Sequence, residues 1–210
     1  MVVAFQFTQH SNLGFKMNSI TWDWGLFEAL NFDGPEWLDG VMLLTSGIKA
    51  WLPLYLLIIY IVWRKYSWRG VVALVVAMGV AIGLADIISG VFKQQGLLAG
   101  LLPEFPARLR PMYSEGVEFF NNGYGKAALH GSVSGHAATI VAIALLSSRV
   151  VRRGWFTALM TVVAVVVCYS RIYLACHFPQ DILLGALLGV VSALVGVWLF
   201  GRIVRLGSKK

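Results

Sequence analysis

Five apolar stretches constrain the fold of this chain more than any other feature of its sequence. A helix of about 20 apolar residues crosses the ~30 Å hydrocarbon core of a bilayer. Stretches that approach this length lie at about 50–63 (with an apolar lead-in from 41), 70–92, 137–147, 155–169 and 179–200. The third and fourth are short, so their spans are expected to include flanking polar residues. Only 13% of the 210 residues are charged, against about 25% in soluble domains. The sequence therefore predicts an all-α, integral membrane helical bundle.

Basic clusters orient these spans. They lie between the first and second spans, between the third and fourth, and after the last: Arg64, Lys65 and Arg69; Arg149, Arg152 and Arg153; Arg202, Arg205, Lys209 and Lys210. The positive-inside rule makes all three cytoplasmic, and they account for the net charge of +7 without a nucleic-acid partner. We expect a multi-pass protein of the cell (inner) membrane, with the connections 93–135 and 171–178 on the periplasmic or extracytoplasmic face.

The amino-terminal segment 1–36 carries no cleavable-signal pattern and interleaves apolar with polar residues, as expected for a segment that lies at the membrane interface. Residues 37–210 are expected to form one membrane-embedded domain. The stretch 37–48 offers a sixth span, but nearby acidic residues such as Asp39 make an independent crossing costly. Five spans with an outer amino terminus are therefore favoured, and six are the alternative.

The run from Ser170 to Asp181 places an arginine, a histidine and an aspartate at the edge of the last span. The fork of Arg171 suits a tetrahedral oxyanion, His177 can act as nucleophile or acid, and Asp181 can hold the imidazole in one tautomer. Pro179 suits the first turn of a helix. His177 and Asp181 should then flank a helix amino terminus, where unpaired amides favour an anion.

A second group of residues precedes the third span. Ser134 is expected to cap this helix, Gly135 to let the backbone approach a ligand, and His136 to face the same outer side. The two helix starts, each with a histidine, are predicted to converge on one phosphate. His130 is expected to be a loop residue without a role in the site.

Three cations and a carboxylate complete the candidates, namely Lys93, Arg108, Arg110 and Asp86. Lys93 ends the second span and either binds the anion or only extends to the interface, whereas Arg108 is expected to be solvated rather than a ligand. Asp86 lies two helical turns before Lys93, and is either its charge partner or a packing or water-facing residue. The only cysteines, Cys168 and Cys176, are too far apart along a helix for a disulfide, and no metal-ligand spacing is present.

Together these residues resemble the type 2 phosphatidic acid phosphatase superfamily, which also includes vanadium haloperoxidases. Its third block, Ser-Arg, five residues, His, three residues, Asp, matches in full from Ser170 to Asp181. Its second block, Pro-Ser-Gly-His, matches except for Val133 in place of proline. The first block, a lysine, six residues and Arg-Pro, matches in Arg110-Pro111, but sixteen residues separate Lys93 from Arg110. An insertion of about Gln94 to Pro103 would explain the spacing. The resemblance covers about 83–200 and leaves the amino-terminal third as membrane context only.

The resemblance implies a role for each candidate. His177 would attack phosphorus to form a phosphohistidine, held by Asp181, and His136 would protonate the leaving oxygen. The charge on the transferred phosphoryl group would be stabilised by Lys93, Arg110, Arg171 and the Ser134 and Gly135 amides. This chemistry needs no metal or other cofactor.

Three functions follow for consideration. The first, which we favour, is a lipid phosphatase that hydrolyses a phosphomonoester or diphosphate of a lipid entering sideways from the outer leaflet. The second is a phosphotransferase on the same scaffold, and the third is a non-enzymatic transporter or redox protein, for which the sequence shows no internal repeat. A haloperoxidase is disfavoured because the chain is mostly membrane. The sequence does not choose between phosphatidate, phosphatidylglycerophosphate, undecaprenyl diphosphate and lipid A, nor does it predict an oligomeric state.

Overall fold

The computed structural model describes residues 21–95, 98–103 and 107–207, and these residues form an all-α bundle. The first twenty residues of the predicted interfacial segment lie outside this description. Single 3-10 turns occur at Ile48–Trp51, Ala99–Leu101 and Pro111–Tyr113. The α-helices are α1 (Thr21–Leu30), α2 (Glu36–Ser46), α3 (Leu52–Phe92), α4 (Gly135–Val151), α5 (Gly154–Tyr173) and α6 (Pro179–Gly207).

Helix α3 is broken at Ser67, whose φ of 62° and ψ of −173° are not helical. The two halves, 52–66 and 68–92, run in opposite directions. At the start of the first half Trp51 packs beside Ile140, near the beginning of α4. At its end Lys65 Nζ donates to the carbonyls of Val150 and Val151, 3.1 and 3.0 Å away, at the far end of α4. The second half then returns to Lys93. The basic connection predicted between the first two spans is this turn.

The bundle therefore has five crossing segments: the two halves of α3, then α4, α5 and α6. Among the described residues, three stretches qualify as membrane spans by length and apolar composition, Ile48–Phe92, Gly154–Tyr173 and Pro179–Arg205, and Gly135–Val151 is a shorter apolar helix. The 17 residues of α4 extend about 25 Å at ~1.5 Å per residue. As expected, the short spans include polar residues at their ends. The predicted all-α membrane bundle is confirmed. The five crossing segments agree with the favoured five-span arrangement, and the 11 residues of α2 are too few to cross the hydrocarbon core as a sixth.

Helices α4 and α6 pack closely because glycines on α6 face the backbone of α4. A Cβ atom on Gly189 would lie 2.5 Å from the carbonyl oxygen of Ala138, a distance that no side chain tolerates. The main-chain N–H of Ser134 donates to the carbonyl of Asp181, 3.0 Å away. This contact joins the start of α4 to the first turn of α6, as the two converging helix starts require.

Helices α1 and α2 pack at the end of the bundle where α5 finishes at Tyr173. Phe27 of α1 is buried, and Tyr173 Oη at the end of α5 donates to Asp39 Oδ1 of α2 at 2.6 Å. Between them Asn31 Nδ2 donates to the carbonyls of Ile172 and Tyr173, 3.2 and 2.7 Å away, which have no partner within their own helix at its end. The amino-terminal third thus holds the end of α5 in place and is more than membrane context.

Candidate active site

A cavity of about 750 Å³ opens between the crossing helices at the end of the bundle that carries Lys93 and His177. Its walls come from Ile48–Trp51, both halves of α3, the connection before α4, and the helices α4 and α5. Among the residues predicted for the site, those that line it are Asp86, Lys93, Arg110, Gly135, His136, Arg171 and His177. The three sequence blocks, which are distant along the chain, therefore meet around one space.

His177 lies in the connection between α5 and α6 and is 1% exposed. Its Nε2 atom is 3.0 Å from Nη1 of Arg110. A guanidinium has only donors, so Nε2 must accept and the ring proton resides on Nδ1. Burial, followed by the charges of Arg110 and Arg171, keeps the pKa of His177 well below its usual value. The imidazole is therefore neutral at physiological pH, with its lone pair on the cavity side.

Asp181 lies on the opposite side of the ring. Its Oδ2 atom is 3.5 Å from His177 Nδ1 and accepts from the Phe178 N–H at 3.1 Å. The first distance is long for a hydrogen bond, as is common for catalytic pairs in ligand-free enzymes. Gly131 packs against this pair, since a Cβ there would lie 3.2 Å from Asp181 Oδ2 and 3.4 Å from His177 Nδ1. A side chain at this position would press on both residues, a role for Gly131 that the sequence did not indicate.

Arg110 is fixed by the backbone of two connections. Its Nε donates to the carbonyl of Ala128 at 2.5 Å, and its Nη1 to the carbonyl of Cys176 at 2.9 Å. Only 7% of the residue is exposed. The guanidinium is thus held beside the reactive nitrogen of His177, where it can also reach a phosphate oxygen.

Arg171 enters from the last turn of α5 and is held by two residues that sequence reasoning missed. Its Nη1 donates to Ser46 Oγ at the end of α2, and its Nη2 to Tyr124 Oη at 3.3 Å. The Tyr124 ring faces the guanidinium at 5.0 Å, and the buried Nε of Arg171 has no hydrogen-bond partner among the described residues. No local pattern marks Ser46 or Tyr124, because their role comes from tertiary packing.

Lys93 ends α3 and points into the cavity in spite of the unusual spacing. Its Nζ lies beside Gly135, where a Cβ would approach it to 3.0 Å. The proposed insertion begins at Gln94, whose side chain donates to the carbonyl of Pro103 at 3.1 Å. The extra residues thus form a loop whose ends meet. Burial, ahead of the charge of Arg110, lowers the pKa of Lys93 to about 8.

His136 and Ser134 occupy the start of α4. Ser134 Oγ accepts from the Ala137 N–H at 3.3 Å, so the predicted helix cap is confirmed. His136 follows one residue after Gly135 and is exposed to the cavity. The two histidines therefore face the same space from two different helix starts.

Two other candidates have different outcomes. Asp86 lines the cavity, but it makes no ion pair within 4.0 Å among the described residues. The expectation that Arg108 is solvated is wrong: its Nη1 is paired with the buried Asp23 Oδ2 at 2.5 Å. Its guanidinium also covers the Phe178 ring at 3.6 Å. Asp23 is fully buried and the Arg108 side chain is 22% exposed, so the pair forms at the edge of the protein interior rather than in open solvent.

The sequence profile of the PAP2 superfamily matches residues 74–205. The chain is 27% identical over 187 residues to a lipid A 4'-phosphatase of Porphyromonas gingivalis, covering 87% of this chain and 75% of the relative. It is 29% identical over 185 residues to an undecaprenyl-diphosphatase of Sulfolobus acidocaldarius, covering 85% and 75%.

Two crystal structures share the fold. LpxE of Aquifex aeolicus superposes with a TM-score of 0.58 at 23% identity, over 83% of this chain and 93% of that one. A transmembrane PAP2 type phosphatidylglycerolphosphate phosphatase of Bacillus subtilis superposes with a TM-score of 0.54 at 21% identity, over 95% and 89%. Because the profile match covers more than half of the chain, this protein belongs to the PAP2 superfamily. The class expected from the sequence, a membrane lipid phosphatase, is confirmed.

The lowered pKa of Lys93 leads to a prediction on pH dependence. The cation is lost as pH rises through about 8, so kcat/KM, which reports the free enzyme, should fall on that alkaline side. Lys93→Arg should move the fall to higher pH because a guanidinium stays charged. Lys93→Met should lower kcat/KM by about tenfold to a hundredfold through the lost charge-assisted contact. Lys126→Met, an exposed lysine of the same outer connection, is the control. Superimposable profiles for wild type and Lys93→Arg would contradict this role.

Proposed function

We propose that this protein removes a terminal phosphate from a membrane lipid phosphate or diphosphate through a phosphohistidine at His177, without a metal ion. The observation that carries the proposal is the contact of Arg110 with His177 Nε2 at 3.0 Å, in a cavity that Arg171 and Lys93 also line. A neutral imidazole surrounded by cations is a nucleophile placed where a phosphate dianion binds. Relatives that act on lipid A and undecaprenyl diphosphate support the substrate class.

In the first step, phosphate oxygens take the N–H groups of Arg110 and free the Nε2 lone pair. Nε2 of His177 then forms a bond to phosphorus as the bond from phosphorus to the lipid oxygen breaks. His136, in its protonated form, gives its proton to that leaving oxygen. Asp181 stabilises the positive charge that develops on the His177 ring, and the cations of Arg110, Arg171 and Lys93 stabilise the equatorial oxygens.

In the second step, water replaces the lipid. The water oxygen attacks phosphorus while His136 accepts a proton from the water, and the bond between phosphorus and Nε2 of His177 breaks. Inorganic phosphate leaves, and His177 is again neutral. A phosphotransferase would instead pass the group to a second lipid, so release of inorganic phosphate in the absence of any acceptor lipid distinguishes the two.

Substitution of the two histidines separates their roles. His177→Ala removes the nucleophile, so no acid-labile phosphoenzyme should form and turnover should be lost. His136→Ala should slow the release of a poor alkoxide leaving group by about 10²–10⁴, and p-nitrophenolate much less, because that group needs little protonation. Phosphoenzyme trapping and rates on both substrate types are measured.

His130→Ala serves as the matched control, since this loop histidine lies outside the cavity lining. The reactions are repeated in excess chelator, where activity should persist. Wild-type turnover by His177→Ala would contradict the mechanism. Activity that disappears on chelation and returns with a divalent metal would contradict it as well.

The shape of the cavity supports a lipid substrate. From the phosphate end it continues along α4 as far as Ile143, about 12 Å into the bundle at ~1.5 Å per residue. The facing wall is formed by Tyr55 and by Gly79 and Gly83 of α3. A Cβ atom on either glycine would meet nothing within 4 Å. The missing side chains leave an apolar groove beside the phosphate site that suits a hydrocarbon chain.

Filling this groove should separate lipid from water-soluble substrates. Gly83→Leu is expected to lower kcat/KM for a long-chain lipid phosphate by about tenfold or more, since overpacking costs roughly 1–3 kcal/mol. Hydrolysis of p-nitrophenyl phosphate, which has no tail, should be unchanged. Val80→Leu on the same helix, at an exposed position outside the groove, is the control. An equal loss on both substrates would argue against a tail-binding role.

We also propose that the site faces the periplasmic or extracytoplasmic side of the cell membrane. The basic residues around Ser67 and Arg152 lie at the opposite end of the bundle from His177, as the positive-inside rule requires.

Labelling in intact cells tests this orientation. A cysteine at Glu118, an exposed residue of the outer connection, should react with a membrane-impermeant reagent, and a cysteine at the exposed Arg152 should not. The parent protein corrects for labelling of its own Cys168 and Cys176. The reverse pattern would overturn the orientation.

A further inference from the structure

The carboxylate of Asp23 connects α1 to the catalytic segment. The residue is 0% exposed, and both of its oxygens are engaged. Oδ1 accepts from the main-chain N–H of Gln180 at 2.8 Å, and Oδ2 from Arg108 Nη1 at 2.5 Å. Gln180 is the second residue of α6 and immediately precedes Asp181. Asp23 therefore satisfies a first-turn amide of the helix that carries Asp181, as a capping residue does, although it lies 157 positions away in the sequence.

Arg108 contacts Phe178, which lies at the other end of the short segment between His177 and Asp181. Its guanidinium stacks on the Phe178 ring at 3.6 Å, and the main-chain N–H of Arg108 donates to Ser132 Oγ at 2.7 Å. Phe178 follows His177 directly in the chain. Asp23 and Arg108 therefore contact Gln180 and Phe178. These two residues lie between His177 and Asp181 in the sequence.

Two aromatic residues of α1 also pack on the Phe178 ring. Phe27 meets the Phe178 ring edge-on at 5.3 Å, and Trp24 stacks on it at 6.3 Å. With Arg108 on the ring as well, Phe178 is 0% exposed. The backbone between the nucleophile and its orienting carboxylate is therefore surrounded by groups from α1 and from the connection before α4.

We infer that Asp23 and Arg108 are positioning residues that set the separation of His177 and Asp181. Helix α1, which carries Asp23, thereby contributes to the geometry of the active site. The inference rests on the proposed function, because it assigns His177 and Asp181 their roles there. A buried carboxylate that loses its cation is left unpaired, so removal of either partner should let the turn 177–181 shift. A displacement of about 1 Å is enough to cost up to a hundredfold in rate.

The test compares Asp23→Ala, Asp23→Asn, Arg108→Ala and Arg108→Lys, and the double Ala variant, in purified protein with p-nitrophenyl phosphate. Both single Ala variants should lower kcat by about ten- to a hundredfold while KM changes less than about threefold, because the cations that bind phosphate are untouched. Asp23→Asn keeps an acceptor for the Gln180 N–H, and Arg108→Lys keeps the charge, so each should recover part of the loss. The double variant should be no worse than the poorer single one, as for two residues acting as a unit.

A second measurement separates positioning from loss of folded protein. Vanadate engages the His177 nitrogen as a mimic of five-coordinate phosphorus, whereas inorganic phosphate needs only the cations. The Ala variants should therefore weaken inhibition by vanadate more than inhibition by phosphate. A smaller folded fraction would lower kcat but leave both inhibition constants unchanged. Glu28→Gln, at an exposed position on α1, should match wild type in every measurement.

Three outcomes would overturn the inference: wild-type kcat in Asp23→Ala, additive losses in the double variant, or unchanged inhibition constants. If the Ala variants do not fold, Asp23→Asn and Arg108→Lys carry the same comparison. If the proposed function itself is wrong, the wild-type enzyme will form no phosphoenzyme. That result distinguishes failure of the proposed function from failure of this inference.

Discussion

The structure depends on the accumulation of positive charge around one buried imidazole. Arg110, Arg171 and Lys93 are brought together without a carboxylate ion pair within 4.0 Å in the described part of the chain, an arrangement that is costly unless an anion binds. The bundle maintains it with neutral groups: backbone carbonyls for Arg110, and hydroxyl groups for Arg171. These partners fix the directions of the guanidinium groups without neutralising their charge. A bound anion would balance that charge.

Much of this was predictable from the sequence, because the relevant signals are local. The five apolar stretches gave the crossing segments, Ser134 and Pro179 marked two helix starts, and the spacing of His177 and Asp181 placed them at one of these. The structure places His177 and Lys93 in the lining of one cavity and joins Ser134 to Asp181 through a main-chain hydrogen bond. The chemical roles of these residues stay predictions. The unusual spacing after Lys93 was interpreted as an insertion, and the contact between Gln94 and Pro103 agrees with that interpretation.

Other parts of the site were not predictable, because they depend on contacts between distant segments. Ser46 and Tyr124 carry no pattern that connects them with Arg171, and nothing near Arg108 in the sequence indicates its ion pair with Asp23. Charge patterning along a chain does not show which residues of opposite charge meet. The turn at Ser67 shows a related difficulty, since a non-glycine residue with positive φ is rarely expected from composition alone.

The contact between Gln94 and Pro103 has a consequence for how such an enzyme can change. Since the loop between them closes on itself, its length and sequence are uncoupled from the positions of Lys93 and Arg110 on either side. Loop closure becomes only slowly more costly with length, so residues can be added or exchanged here while the reactive groups stay in place. The loop begins directly after Lys93, which lines the cavity. The number of residues between Lys93 and Arg110 along the chain is therefore a poor guide to how close the two cations lie in space.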